Sequence, residues 1–435
     1  MTTRRTKRKG NRAVVVDGAR TPFVRAFNEY LKMDTIDLGV QAVGGLLKKT
    51  KIAYEAIDAV VWGGVILPIL APNVGREIVL DLGLPRTIPA HTVTRACASG
   101  LQAITDAVAM IERGEAEVVI AGGSDSTSNA EVPLPRKLMQ TVGPVAMNAK
   151  AGISDWLGAI GKLAPFVDLL PRKPKIAERT TGEVMGEAAE KMARINGITR
   201  EAQDAFAYES HRRAAAAIAS GRFDDEVVAV TTPEGKRVTR DTIVRPDTSI
   251  EKLGRLRPAF AKGGTVTAGN ASPLTDGAAC VLLMSERRAE KLGFAPRAFF
   301  RSWAYVGVDP ADQLLMGPAL AMPKALERSG LTFEEIDLFD LHEAFAAQVL
   351  AVVGMMADPT FIAKHFGERV SFGAIPPERL NVHGGSVALG HPFGATGARI
   401  VLTMANELAR TDAKHALIGI CAAGGLGAGA VMSAY

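Results

Sequence analysis

The chain has 435 residues, longer than the roughly 250 to 300 at which a single hydrophobic core stops growing, so more than one domain is expected. Apolar residues make up 47%, charged residues 22% and aromatics 6%, with 44 glycines, a balance that excludes global disorder, a collagen-like repeat and a disulfide scaffold. The formal charge of +5 is supplied by Arg4, Arg5, Lys7, Arg8, Lys9 and Arg12, which marks a basic disordered tail over residues 1–12 rather than a nucleic-acid-binding face.

Only Cys97, Cys280 and Cys421 occur, too few for a framework of bridges, so a reducing compartment is expected and the thiols are free for chemistry. No apolar run follows the tail and no stretch of about 18 apolar residues occurs, which points to a soluble, cytoplasmic protein.

Ala13 to Asp17 is a continuous apolar run closed by Gly18, the pattern of a strand buried on both faces. Thr35 to Lys49 carries Ile36, Leu38, Val43, Leu46 and Leu47 at helical spacing. Strand-like runs recur at Ala59 to Trp62, Glu117 to Ala121, Leu338 to Leu341 and Ala416 to Ile420, with helical patterns between them. Alternation of this kind predicts an α/β layer fold.

Tyr54-Glu-Ala-Ile-Asp-Ala-Val-Val-Trp-Gly63 aligns without gaps on Phe333-Glu-Glu-Ile-Asp-Leu-Phe-Asp-Leu-His342. The pairing suggests two halves of one topology, about 13–132 and 296–435, with chance coincidence between α/β segments as the alternative. Between them, 133–180 is rich in proline and 181–219 reads as helical, an insertion suited to a lid or binding subdomain. Within it, Ile153, Trp156, Leu157, Ile160, Ala164 and Val167 repeat at helical spacing beside the basic Pro171-Arg-Lys-Pro-Lys175. That face suits packing on the protein itself or a sister subunit, contact with a membrane surface, or a border to an acyl-chain tunnel.

Four segments carry chemistry. Cys97, in Thr94-Arg-Ala-Cys-Ala-Ser-Gly-Leu-Gln, falls where a strand ends and a helix begins, a place that favours a thiolate; the alternative is a small buried hydrophobe. His391, in Gly390-His-Pro-Phe-Gly-Ala-Thr-Gly, sits on a turn as a general base or as a structural residue, with His383 the weaker candidate. Cys421 opens Cys-Ala-Ala-Gly-Gly-Leu-Gly-Ala-Gly, whose glycines let backbone amides approach a ligand as in an oxyanion hole. Leu341-His-Glu-Ala-Phe345 adds an imidazole and a carboxylate, but His342 and Glu343 are adjacent and lack metal-ligand spacing, so no metal is expected.

Together with Thr267-Ala-Gly-Asn-Ala-Ser272 and Asp276-Gly-Ala-Ala, these motifs resemble the thiolase family over nearly the whole chain. The resemblance implies two βαβαβαββ halves in a five-layered αβαβα body: 13–132 plus about 250–295, then 296–435, with a loop domain at 133–249. It implies Cys97 as acylated nucleophile, His391 as its base and Cys421 as the second acid/base. The backbone amides of Cys97 and Ala423 would form one oxyanion hole, and His342 with His391 would line the other. Ser272, Arg245, Met185 and Phe345 match positions that contact coenzyme A, a co-substrate rather than a tightly bound cofactor.

His342 stands where small-substrate thiolases usually carry Asn, Val184 where they carry His, and Ala423 where Gly is usual. With Gly385-Ser386 and Pro392-Phe393, these departures resemble the β-subunit branch of the trifunctional fatty-acid oxidation complexes. The implied activity is CoA-dependent cleavage of 3-ketoacyl-CoA by a homodimer or tetramer, with a hydratase/dehydrogenase subunit as a candidate partner. Biosynthetic acetoacetyl-CoA condensation, a ketoacyl-synthase-like enzyme and a non-catalytic scaffold are the alternatives.

Overall fold

The computed structural model describes residues 11–131, 135–165 and 177–435, and the chain divides into two compact units, 130–177 and the remainder. The larger unit is built on one mixed sheet. Its strand order is Leu338–Leu341, His415–Ala422, Leu426–Ala434, Ala298–Gly307, Ala13–Arg20, Thr275–Ser285, Val118–Ser126, Ala59–Gly63 and Ala90–Val93. The last three run parallel to one another, as do the first two, and the remaining pairings are antiparallel.

The sheet consists of two similar halves joined at a short seam, where Val14 and Val15 pair with Phe299 and Ala298. The repeat seen in the sequence holds at the level of hydrogen bonds. A one-turn 3-10 helix precedes each strand, at Tyr54–Ala56 and Phe333–Glu335. Asp58 then accepts from the backbone N–H groups of Glu117 and Val118 at 2.7 and 2.9 Å, and Asp337 from those of Lys414 and His415 at 2.7 and 3.0 Å. Each aspartate thereby sets the register of a parallel pair. The halves differ at one edge: strand Ala90–Val93 is replaced in the second half by an isolated bridge from Phe339 to Leu380, with the Asn381 side chain bonded to both N–H and C=O of Leu341.

Helices cover both faces and fill the middle, giving the five layers. Helices Ser99–Arg113 and Phe393–Arg410 lie between the two half-sheets in one core with Val15, Val119, Val281 and Ile418. Helices Thr35–Thr50 and Val74–Asp81 cover the outside of the first half, and Gly317–Ser329 and Ala346–Ala357 that of the second. Both faces of a central strand are therefore apolar: in Thr275–Ser285, Ala279, Val281 and Leu283 face the middle layer while Ala278, Cys280 and Leu282 face outward. This two-sided burial explains the unbroken apolar run at Ala13–Val16. Among the described residues, no single helix is long and apolar enough to cross a membrane.

The unit 130–177 holds helices Arg136–Ala146 and Ile153–Lys162. In the second, Ala159 is buried while Ile153 and Leu157 are 81% and 64% exposed. Val167 and the basic cluster at 171–175 lie outside the described residues. Residues 178–249 group with the larger unit, where Met185–Ile195 and Arg200–Ala219 are the helices expected over 181–219.

Candidate active site

The two central helices begin beside each other because glycines remove the Cβ atoms that would separate them. A Cβ on Gly100 would lie 2.4 Å from the Gly394 carbonyl oxygen, and one on Gly397 would lie 2.4 Å from the Leu101 nitrogen. Each helix start carries one functional residue. Cys97 precedes Ser99–Arg113 on a turn whose Ala96 has φ of 45°, held by Ser99 Oγ, which accepts from Arg95 N–H and donates to the Ala96 carbonyl. His391 precedes Phe393–Arg410, after Gly390 at φ 100°, where a side chain would meet Ile243 and Thr275. The buried Asp125 carboxylate ties the crossing together by accepting from the N–H groups of Val65, Ile66 and Gly394.

One ligand-type atom from each of Cys97, His342 and His391 lies within 4.8 Å of the others, and the two imidazole centroids are 4.1 Å apart. A thiol and two imidazoles at this spacing suit proton transfer to and from sulfur, and by composition also a thiophilic cation. At His391 the hydrogen bonds decide where the proton sits. Thr396 Oγ1 donates to the Pro392 carbonyl at 3.0 Å and lies 2.6 Å from His391 Nδ1. With its one proton committed, the hydroxyl accepts from Nδ1–H, which leaves the Nε2 lone pair free. That Nε2 is buried with no hydrogen-bond partner among the described residues.

Cys421 is the last residue but one of strand His415–Ala422, and Gly424 and Gly425, at φ 87° and 66°, turn the chain into Leu426–Ala434. The hairpin brings the Ala423 N–H to the Cys97 sulfur, where the N–H of Cys97 itself also points. Cys421 is buried; burial, then repulsion from Cys97, pushes its thiol well up.

The helix start does not make Cys97 a resting thiolate. Burial pushes its thiol up to about 12, outweighing the two N–H groups, with Asp125 adding to the rise. Removing a sulfur anion from water costs more than a helix terminus returns, because the dipole contributes of order 1 kcal/mol. Burial and the Arg399 charge likewise hold His391 down at about 3, so both shifts favour a neutral thiol beside a neutral imidazole. Cys280, in the outer face of its strand, is buried with its thiol pushed up to about 12.

Met185 and Phe345 share one cluster with Ala271 and Phe260, Phe260 meeting Phe345 edge to face at 5.9 Å. The Ser272 N–H bonds the Ala344 carbonyl, one residue from Phe345. Arg245 is anchored by its N–H to His211 Nδ1 at 3.2 Å. His383 stands apart from the cluster, 2.8 Å from Glu407 and edge-on to Phe223. Glu343 is buried, accepting from Ser210, Asn381 and the Val387 N–H, and so braces the loop before His391. Sequence reading passed over Asp125, Thr396, Arg399 and Phe260. Thr396 stood within the His391 motif and Arg399 two residues beyond it, and the signal for Asp125 was a carboxylate closing an apolar run after Gly122-Gly123.

The model of the thiolase N-terminal domain matches residues 13–287 and that of the C-terminal domain 294–434. The chain belongs to the thiolase family. It is an acyltransferase of that family, 43% identical over 429 residues to the 3-ketoacyl-CoA thiolase of Cronobacter sakazakii and 42% to that of Escherichia coli O157:H7, with 98% of each chain covered. Among solved structures, the acetyl-CoA acetyltransferase of Bacillus anthracis superposes with a TM-score of 0.81 at 32% identity, covering 98% of this chain and 99% of that one. A human mitochondrial 3-ketoacyl-CoA thiolase in complex with CoA gives 0.80 at 30%, with the same coverage. Thiolase architecture accounts for both the five layers and the repeat.

Proposed function

We propose that this thiolase cleaves 3-ketoacyl-CoA with coenzyme A, giving acetyl-CoA and an acyl-CoA two carbons shorter. The observation that carries the reading is the Cys97 thiol gathered with His342 and His391, one ligand atom of each within 4.8 Å of the others, with His391 Nε2 unpartnered among the described residues. His391 Nε2 takes the Cys97 proton as sulfur attacks the 3-keto carbon. The alkoxide collapses, the C2–C3 bond breaks, and its electron pair becomes the acetyl-CoA enolate, which Cys421 protonates. The Cys421 thiolate then takes the proton of incoming CoA, whose sulfur attacks the Cys97 thioester. Cys97 leaves and recovers its proton from His391, so both thiols end as they began.

The N–H groups of Cys97 and Ala423 stabilise the oxygen of the acyl-Cys97 thioester in its tetrahedral state, and His342 with protonated His391 serves the other oxyanion. Coenzyme A is a co-substrate, its acyl end running past Met185, Phe345, Ser272 and Arg245. We assign 133–249 to CoA and acyl-chain binding, between a half formed by 13–132 with about 250–295 and a half formed by 296–435. A homodimer or tetramer, a hydratase/dehydrogenase partner, contact of the 152–170 segment with a membrane surface and a longer-chain preference belong to the same reading. The test is CoA-dependent cleavage of 3-ketoacyl-CoA from C4 to C16, with mass spectrometry of the trapped acyl-enzyme. Acyl label on Cys421 or Cys280 instead of Cys97 overturns it.

A further inference from the structure

His342 follows strand Leu338–Leu341 directly, and its ring is fully buried. Its Nδ1 lies 2.9 Å from Ser386 Oγ, while Nε2 has no hydrogen-bond partner among the described residues. The other side chain at the Ser386 hydroxyl, among the described residues, is Arg399, with Nη2 at 3.4 Å. A guanidinium only donates, so the Ser386 oxygen accepts there, and since His342 Nδ1 is the one acceptor at the hydroxyl among the described residues, the serine proton goes to Nδ1. The neutral ring then carries its own proton on Nε2, on the side of His391 and Cys97.

Arg399 is held in turn. Its Nη1 lies 3.3 Å from Oδ2 of Asp340, and both side chains are about 1–2% exposed. Asp340 belongs to the strand that delivers His342, two residues earlier. Strand, carboxylate, guanidinium, hydroxyl and imidazole thus form a closed loop that fixes the ring. The charge also keeps the ring neutral: burial, then His391 and Arg399, hold the His342 imidazolium well below its usual range. Thr396 does the opposite at His391, where the hydroxyl donates to Pro392 and can only accept from Nδ1. Two departures noted in the sequence, His342 and Ser386, turn out to be the two ends of one hydrogen bond.

We propose that Ser386 and Arg399 are positioning residues that hold His342 as its Nε2–H tautomer, so that one imidazole of the site donates while its neighbour accepts. His391 is thereby the base and His342 the permanent donor to the substrate oxyanion. An N–H aimed at the cluster also leaves His342 with no lone pair for a cation at that position. The inference rests on the oxyanion reading of His342, and the test separates the two.

The decisive measurement is nitrogen NMR of the whole enzyme with 15N-labelled histidine, His342 and His391 being assigned by loss of their signals in His342→Ala and His391→Ala. The expected spectrum shows His342 protonated on Nε2 and His391 on Nδ1. Ser386→Ala should convert His342 to a mixture of tautomers and lower kcat roughly 10- to 100-fold with KM little changed, since an orienting partner contributes less than an oxyanion donor itself. A wild-type His342 protonated on Nδ1, or a Ser386→Ala enzyme with full kcat, overturns the positioning role. Full kcat in His342→Ala overturns the oxyanion reading instead, whatever the tautomer.

Discussion

Gly100→Ala tests whether the crossing of the two central helices is what sets the reacting atoms. The new Cβ would lie 2.4 Å from the Gly394 carbonyl oxygen and 2.9 Å from the Ala398 nitrogen, both backbone atoms that no rotamer change can move. Reaching the 3.4 Å edge of ordinary contact requires the helices to part by about 1 Å. Cys97 lies three residues before Gly100 and His391 three residues before Gly394, so the displacement passes directly into the thiol–imidazole separation. A misplacement of about 1 Å costs on the order of 100-fold in rate, while overpacking costs about 1 to 3 kcal/mol of stability. The assay pairs kcat for CoA-dependent thiolysis with a thermal melt. Gly354→Ala is the control: it changes an exposed helical glycine whose added Cβ would meet no atom within 4 Å beyond its own helix among the described residues, and should leave kcat intact while gaining up to about 1 kcal/mol. Wild-type kcat in a folded Gly100→Ala enzyme would refute the argument that glycine contact positions Cys97 against His391.

Alkylation of Cys97 by iodoacetamide should rise steadily with pH above neutrality, because its thiol is pushed up to about 12; a plateau between pH 6 and 8 would reveal a resting ion pair and contradict the neutral assignment. His391 is held down to about 3 against an ordinary 6.5, so across that window the unfolded chain binds a proton that the folded chain refuses. Stability from this group is therefore lost as pH falls from about 6.5, and His391→Asn should lose less stability between pH 7 and 4.5 in thermal melts. Cys421→Ala keeps Cys97 and His391, so acyl-enzyme should still form from an acyl-CoA while carbon–carbon cleavage stalls; equal loss of both steps would remove the separate role of Cys421. In Asp241→Ala the buried Arg20, bonded at 2.7 and 2.8 Å, loses its bidentate partner, and urea denaturation should register a loss of about 3 to 5 kcal/mol.

The layer fold was legible because it follows from local pattern. Runs such as Ala13–Val16 are apolar at every position since both faces of their strand are covered, and the Asp58 and Asp337 repeat marks the same register-setting contact in each half. The thiol and histidine motifs were legible because each sits at a chain turn that glycine punctuates, as at Gly390 and Gly424. What the sequence could not decide was charge state. Proximity to a helix start argued for a Cys97 thiolate, whereas the tertiary structure half-buries that residue and desolvation, the largest cause, pushes its thiol up. It could not decide proton placement either, because the tautomers of His391 and His342 depend on the hydroxyl of Thr396, which accepts, and that of Ser386, which donates, the latter oriented by an Arg399–Asp340 pair drawn from a helix and a strand. Periodicity and turn chemistry act between neighbours along the chain and can be read there. Burial and hydrogen-bond direction are properties of the assembled interior, and they appear only when residues separated by tens to hundreds of positions are brought together.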